Sequence, residues 1–134
     1  LEICDYINQD INGPATALTA LINQLEQFAA RDPKSAAFTL TLLDFCVKNG
    51  GYRFTSELCK GNYLRKLKKL VDRKDIAVEI RNRLLSLIKV WAQAFSDHVD
   101  FQPVNALYRE LLRNSAHFPV VDINDVDLLK RAVS

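Results

Sequence analysis

Glycine and proline are scarce in this 134-residue chain, at four each, and methionine is absent. A fold of many short strands needs more turn residues than that, so an all-β protein is excluded. No run of 18 or more apolar residues occurs, so nothing in the sequence is long enough to span a bilayer. No signal peptide is visible. Cysteine is limited to Cys4, Cys46 and Cys59, with no C-x-x-C pair and no Cys/His cluster of zinc-site spacing. Cys4 and Cys46 sit among apolar residues and read as small buried hydrophobes of a reducing compartment. Histidine is limited to His98 and His117, each at a predicted helix end. The H-E-x-x-H, G-x-S-x-G, G-x-G-x-x-G and P-loop patterns are all missing. Asp72 and Asp75 lie in a basic stretch with nothing to raise a carboxyl pKa into the general-acid range. A binding module without cofactor or metal is therefore expected, not an enzyme. The start at Leu1, in mid-pattern and without a Met, is that expected of a piece of a longer protein.

What is present is an apolar share of 49% with 25% charge, enough for one ordinary domain with its own core. The net charge of +2 is unevenly spread. Residues 60–83 hold nine basic and three acidic side chains, whereas residues 1–59 hold four basic and seven acidic. A local positive field on a nearly neutral chain suits an acidic peptide or an anionic headgroup. It does not suit a dedicated nucleic-acid binder, which usually carries a strongly basic domain.

The apolar spacing is helical throughout. Leu1–Asn8 reads as the end of a helix, with Leu1, Cys4 (with Ile3) and Ile7 on one side. Pro14 opens a second helix to about Arg31, with Leu18, Leu21, Ile22, Leu25, Phe28 and Ala29 inward. Ser35–Asn49 is apolar over most of its circumference, the mark of a central helix packed on two sides. Gly50-Gly51 ends it. Short helices follow near Arg53–Cys59 and Asn62–Val71, and Ile76–Phe95 is the longest. Its stripe is Ile80, Leu84, Leu87, Ile88, Trp91 and Phe95, widened by Leu85 and Val90. Pro103–Ser115 is the last clear helix, with Val104, Leu107, Tyr108, Leu111 and Leu112 inward. The tail from Val120 is expected to form a short helical turn or nothing fixed. Six or seven helices, two of them broadly apolar, predict an all-α solenoid or compact orthogonal bundle. Residues 1–119 form the domain and residues 120–134 a tail that packs on it or extends from it.

Several stretches carry a family likeness. Leu1–Asn8 followed by Gly13-Pro14 resembles the second helix and following turn of a VHS domain. Leu40–Asn49, then Gly51 and Phe54, is similar to the family's central fourth helix and its exit. Trp91–Phe95 resembles the end of its long sixth helix, and Tyr108 through Phe118-Pro119 its last helix and stop. Asn49-Gly50-Gly51 and Thr55 depart from the family's usual Asn-Cys-Gly and His. The resemblance implies a right-handed superhelix of eight helices, related to ENTH and ANTH domains, here without its first helix.

The resemblance also implies function. VHS domains serve endosomal and Golgi sorting proteins, so a cytoplasmic cargo-recognition module, monomeric as an isolated domain and peripherally recruited to those membranes, is expected. Many bind ubiquitin weakly through the second and fourth helices, which here points to Leu1, Asp5, Asp44, Lys48 and Asn49. In the Golgi gamma-ear-containing adaptors the domain binds acidic-dileucine (D-x-x-L-L) signals between the sixth and eighth helices. Arg81 and Arg83 look like the basic start of that sixth helix, although Glu110 falls where the adaptors carry an apolar residue. Analogy with ENTH and ANTH domains implies phosphoinositide contact through Lys68, Lys69, Arg73, Lys74, Arg81 and Arg83. The tail itself contains Asp125-Val126-Asp127-Leu128-Leu129, which matches D-x-x-L-L and opens the possibility of self-binding.

Overall fold

The computed structural model describes residues 2–133. Among them are eight α-helices and one short 3-10 turn, with no strand. In chain order these are α1 (Glu2–Gln9), α2 (Gly13–Phe28), α3 (Pro33–Asn49), α4 (Gly51–Lys60), α5 (Tyr63–Asp72) and α6 (Val78–Ala94). The 3-10 turn Val99–Phe101 leads into α7 (Gln102–Arg113), and α8 (Ile123–Val133) closes the chain.

The helix ends follow local chemistry. Pro14 stands in the first turn of α2, and Pro33 opens α3 behind Asp32. The Asp32 carboxylate accepts the Ser35 amide at 3.1 Å and the Ser35 hydroxyl at 2.7 Å, satisfying a donor that the first turn leaves orphaned. At the other end of α3, Gly51 adopts φ +72°, which lets α4 start without a break in the chain.

Successive helices from α1 to α7 pack against one another, α2 also reaches α4 and α5, α3 reaches α6, and α8 folds back onto α6, α3 and α4. The result is an all-helical superhelix with its core along the middle. Leu18, Ile22, Leu40, Leu43, Phe54, Leu58, Trp91, Phe95 and Phe101 are fully buried there. The whole predicted stripe of α6 is buried, Leu85 and Val90 included, because α3, α5, α7 and α8 surround it.

Three features differ from the sequence expectation. α3 is not covered all round: Phe38 is 64% exposed, because α2 and α6 flank the helix and leave its third side open. Ile3 and Leu112, expected inward, are exposed, since each lies off the single stripe by which α1 and α7 touch the body. The tail is ordered as a helix of three turns rather than a single turn, burying Val126 and Leu129. Each such burial contributes about 1.5–3 kcal/mol, set against the entropy of ordering the segment.

Candidate functional site

α1 is short and is fastened to the end of α3. The Asn8 side-chain amide donates to the Gly50 carbonyl at 3.0 Å, and the Cys4 and Cys46 thiols meet in the interface. From α4, the Arg53 guanidinium donates to the carbonyls of Asn8, Asp10 and Ile11, the last two at 3.0 and 3.2 Å. That cation supplies the donors a helix C-terminus lacks and sits where the helix dipole favours it. The joint brings the helix bearing Asp5 against the end of the helix bearing Asn49, and both side chains are exposed. Asn49 turns its amide back to the Phe45 carbonyl at 2.9 Å, and Phe45 is half-buried one turn away. The joint thus combines the buried Cys4 and Cys46 with exposed polar side chains on both helices.

The other predicted ubiquitin contacts lie elsewhere on α3. Asp44 and Lys48 form an ion pair of 2.8 Å on the side that faces α6 and the start of α8. Leu1 lies outside the described residues. The sequence reading gave no role to Arg53 and covered Asn8 and Phe45 only as members of the stretches that resemble the family's second and fourth helices. Asn8 carried one signal, a polar residue inside the stretch that resembles the family's second helix.

The basic segment is less free than its sequence suggests. Arg73 forms a two-pronged pair with Asp75, both bonds at 2.8 Å, and donates to the Glu26 carbonyl at 2.8 Å. Arg81 donates to the Val71 carbonyl at 3.1 Å and to that of Arg73. With the Ala77 amide bound to the Ala29 carbonyl at 3.1 Å, these bonds clamp the α5–α6 loop onto the end of α2. Arg83 donates to the Thr41 hydroxyl on α3, and Lys68 pairs with Asp72 at 2.8 Å. Lys69 and Lys74 are exposed and make no ion pair or hydrogen bond among the described residues. Arg81, expected to meet a ligand acid, is thus spent on loop carbonyls, because the end of α5 exposes acceptors that need donors.

A groove of about 630 Å³ runs between α5 and α7. Leu64, Ala106 and Leu107 line it, with Arg65, Lys68 and Arg113 along the rim and Glu110 among them. Arg81 and Arg83 do not line it.

Burial pushes the Cys46 and Cys59 thiols up to about 11, so neither offers a nucleophilic thiolate near neutral pH. Among the described residues no group of three or more His, Cys, Asp or Glu side chains could hold a metal ion. Among the described residues no helix is long and apolar enough to cross a membrane.

The VHS domain family model matches residues 1–115. Human TOM1-like protein 1 is 34% identical over 121 residues, covering 89% of this chain and 25% of that protein. Mouse Target of Myb1 membrane trafficking protein is 29% identical over 126 residues, covering 92% of this chain and 25% of that protein. Vacuolar protein sorting-associated protein 27 of Yarrowia lipolytica is 31% identical over 119 residues, covering 89% of this chain and 20% of that protein. The chain thus spans a quarter or less of these relatives. With the helical superhelix, the sequence blocks on α1, α3, α6 and α7, and the family match over most of its length, this chain belongs to the VHS domain family.

Proposed function

We propose that this domain is a non-enzymatic cargo-recognition module of vesicular protein sorting, and that its favoured ligand is ubiquitin on membrane cargo. The joint of α1 and α3 carries the reading. There Asp5 and Asn49 stand exposed on the two helices that the Asn8–Gly50 bond joins, and Phe45 is half-buried one turn before Asn49, a mixed polar and apolar surface suited to a weak, transient contact. Relatives whose names include membrane trafficking and vacuolar protein sorting support the cellular setting. The protein then works at the cytoplasmic side of endosomal or Golgi membranes, peripherally recruited. Multivalency in a longer protein would raise a weak affinity to a useful one.

An amide NMR titration of this chain with unlabelled ubiquitin tests the reading. Shifts at Asp5, Phe45 and Asn49 are expected, extending to Asp44 and Lys48 if the contact reaches that side. No shifts at millimolar ubiquitin would overturn it.

The groove between α5 and α7 favours a second reading, the binding of acidic-dileucine sorting signals. Its rim cations Arg65, Lys68 and Arg113 suit the acids of such a signal, and its Leu64 and Leu107 floor suits the leucines. A labelled D-x-x-L-L peptide should bind this chain and lose affinity in R65E and R113E. Equal binding by both variants would sink this reading.

A further inference from the structure

α8 lies across α6 and α3 and also touches α4. It is held by one stripe only: Val126 is buried, Leu129 is fully buried and Val133 is half-buried, at helical positions i, i+3 and i+7. Its outer side is open, with Ile123 and Leu128 exposed. The D-x-x-L-L pattern is therefore split by the helix, Leu129 inward and Leu128 outward, and is not presented as an extended signal. At its N-terminal end Asp122 and Asp125 share a hollow of about 240 Å³ with the paired Asp44 and Lys48 of α3 and with Arg83 of α6, over Leu87 and Val90. Asp122 also accepts the Asn124 amide at 2.9 Å and starts the helix.

α6 buries nine side chains, whereas α8 buries two. Residues 114–122, which lead to α8, form no helix beyond the turn that ends α7, and they are tied down by Lys89 on the Pro119 carbonyl and by Phe118 against the Tyr108 ring. The surface beneath α8 is formed by Leu87 and Val90, with Lys48 and Arg83 at one end.

We propose that the groove between α3 and α6 is a docking site for an amphipathic helix with an acidic first turn and apolar residues at i, i+3 and i+7. α8 is the chain's own occupant, and a partner helix of that pattern takes the groove by replacing it. The occupant seated there defines the pattern: its acids line the same hollow as Lys48 and Arg83, whose present partners are Asp44 and the Thr41 hydroxyl, and its apolar stripe meets α6. The inference does not rest on the ubiquitin reading: Lys48 is shared with it, whereas Asp5 and Asn49 have no part in this groove.

The probe is a fluorescein-labelled peptide with the sequence of residues 120–134. It is titrated against the unaltered chain and against the chain carrying V126D and L129D, which releases α8. The released variant is expected to bind the peptide at least about tenfold more tightly than the unaltered chain, whose groove is filled in cis. A peptide carrying L129D should fail to bind, a peptide carrying L128D should bind as well as the parent, and K48E with R83E in the released chain should weaken binding. A folded released variant that ignores the peptide overturns the proposal. Native-state hydrogen exchange on the unaltered chain is the second arm: α8 amides should exchange through local opening, well ahead of those of α6. Equal protection in α8 and α6, or unfolding of the released variant, would make α8 a fixed part of the core and overturn the proposal as well.

Discussion

The side-chain amide of Asn8 donates to the main-chain carbonyl of Gly50 across 42 residues of sequence, and this bond fixes the last turn of α1 at the exit of α3. Removing it in N8A should cost about 1 kcal/mol in urea unfolding. On the ubiquitin reading the same variant should weaken ubiquitin binding although Asn8 itself need not touch the ligand. Unchanged affinity would show that the joint's geometry does not matter to the contact.

Gly50 and Gly51 should resist substitution for different reasons. A Cβ on Gly50 would stand 2.5 Å from the Cys46 carbonyl oxygen and 2.7 Å from the Phe54 Cβ, so G50A forces packed atoms apart. Gly51 has open space around it, yet its φ of +72° makes G51A cost about 1–2 kcal/mol. Ser115 holds φ 67° just past the end of α7 and should profit from the reverse change. S115G is expected to gain up to about 1 kcal/mol. Thermal melts of the three variants check the signs.

Acid should destabilise the fold partly through two carboxylates. The Ser35 hydroxyl and amide hold the Asp32 carboxyl below its usual 3.8, and the Arg73 guanidinium does the same for Asp75. A carboxyl whose folded pKa is depressed stabilises above its unfolded pKa, and that stability drains as pH falls through the lower, folded value. Melting temperature should therefore fall below about pH 4. In D32N the cap still accepts a hydrogen bond but no longer titrates, so the acid limb of its melting curve should be shallower than that of the parent.

Thiol chemistry should be suppressed in the native state. With Cys46 and Cys59 near 11 and Cys4 raised by burial, only about a thousandth of the first two is thiolate at pH 8. A colorimetric disulfide reagent should label the folded chain slowly and all three thiols promptly in denaturant.

The basic segment should divide by role. R81A leaves the Val71 and Arg73 carbonyls without their donor and should cost about 1–3 kcal/mol. K69E and K74E change exposed, unpaired lysines and should leave stability within about 0.5 kcal/mol. If the domain also touches anionic headgroups, flotation with phosphoinositide vesicles should fall in K69E/K74E and fade with added salt.

Helix positions were legible because each helix writes its own period. The α6 stripe from Ile80 to Phe95, the Asp32-Pro33 start of α3 and the Gly50-Gly51 stop are local signals with local causes. The site was legible only in part. The resemblance pointed to Asp5 and Asn49 near the joint, but Asp44 and Lys48 face α6 instead. Arg53 gave no local sign of its part in the joint, since the carbonyls it binds are more than forty residues away in sequence.

The sequence by itself determined that this is a helical domain, where most helices begin and end, and which side of α2, α5 and α6 carries the core. Those outcomes rest on spacing, caps and backbone freedom within a few residues. Only the tertiary structure decided which cations are loop clamps, which side of α3 stays open and that the tail folds back as α8. Such outcomes depend on which carbonyls, acids and apolar stripes come together from distant parts of the chain. The nine basic residues of 60–83 are one cluster in sequence, but the fold divides them between carbonyl acceptors, acid partners and solvent.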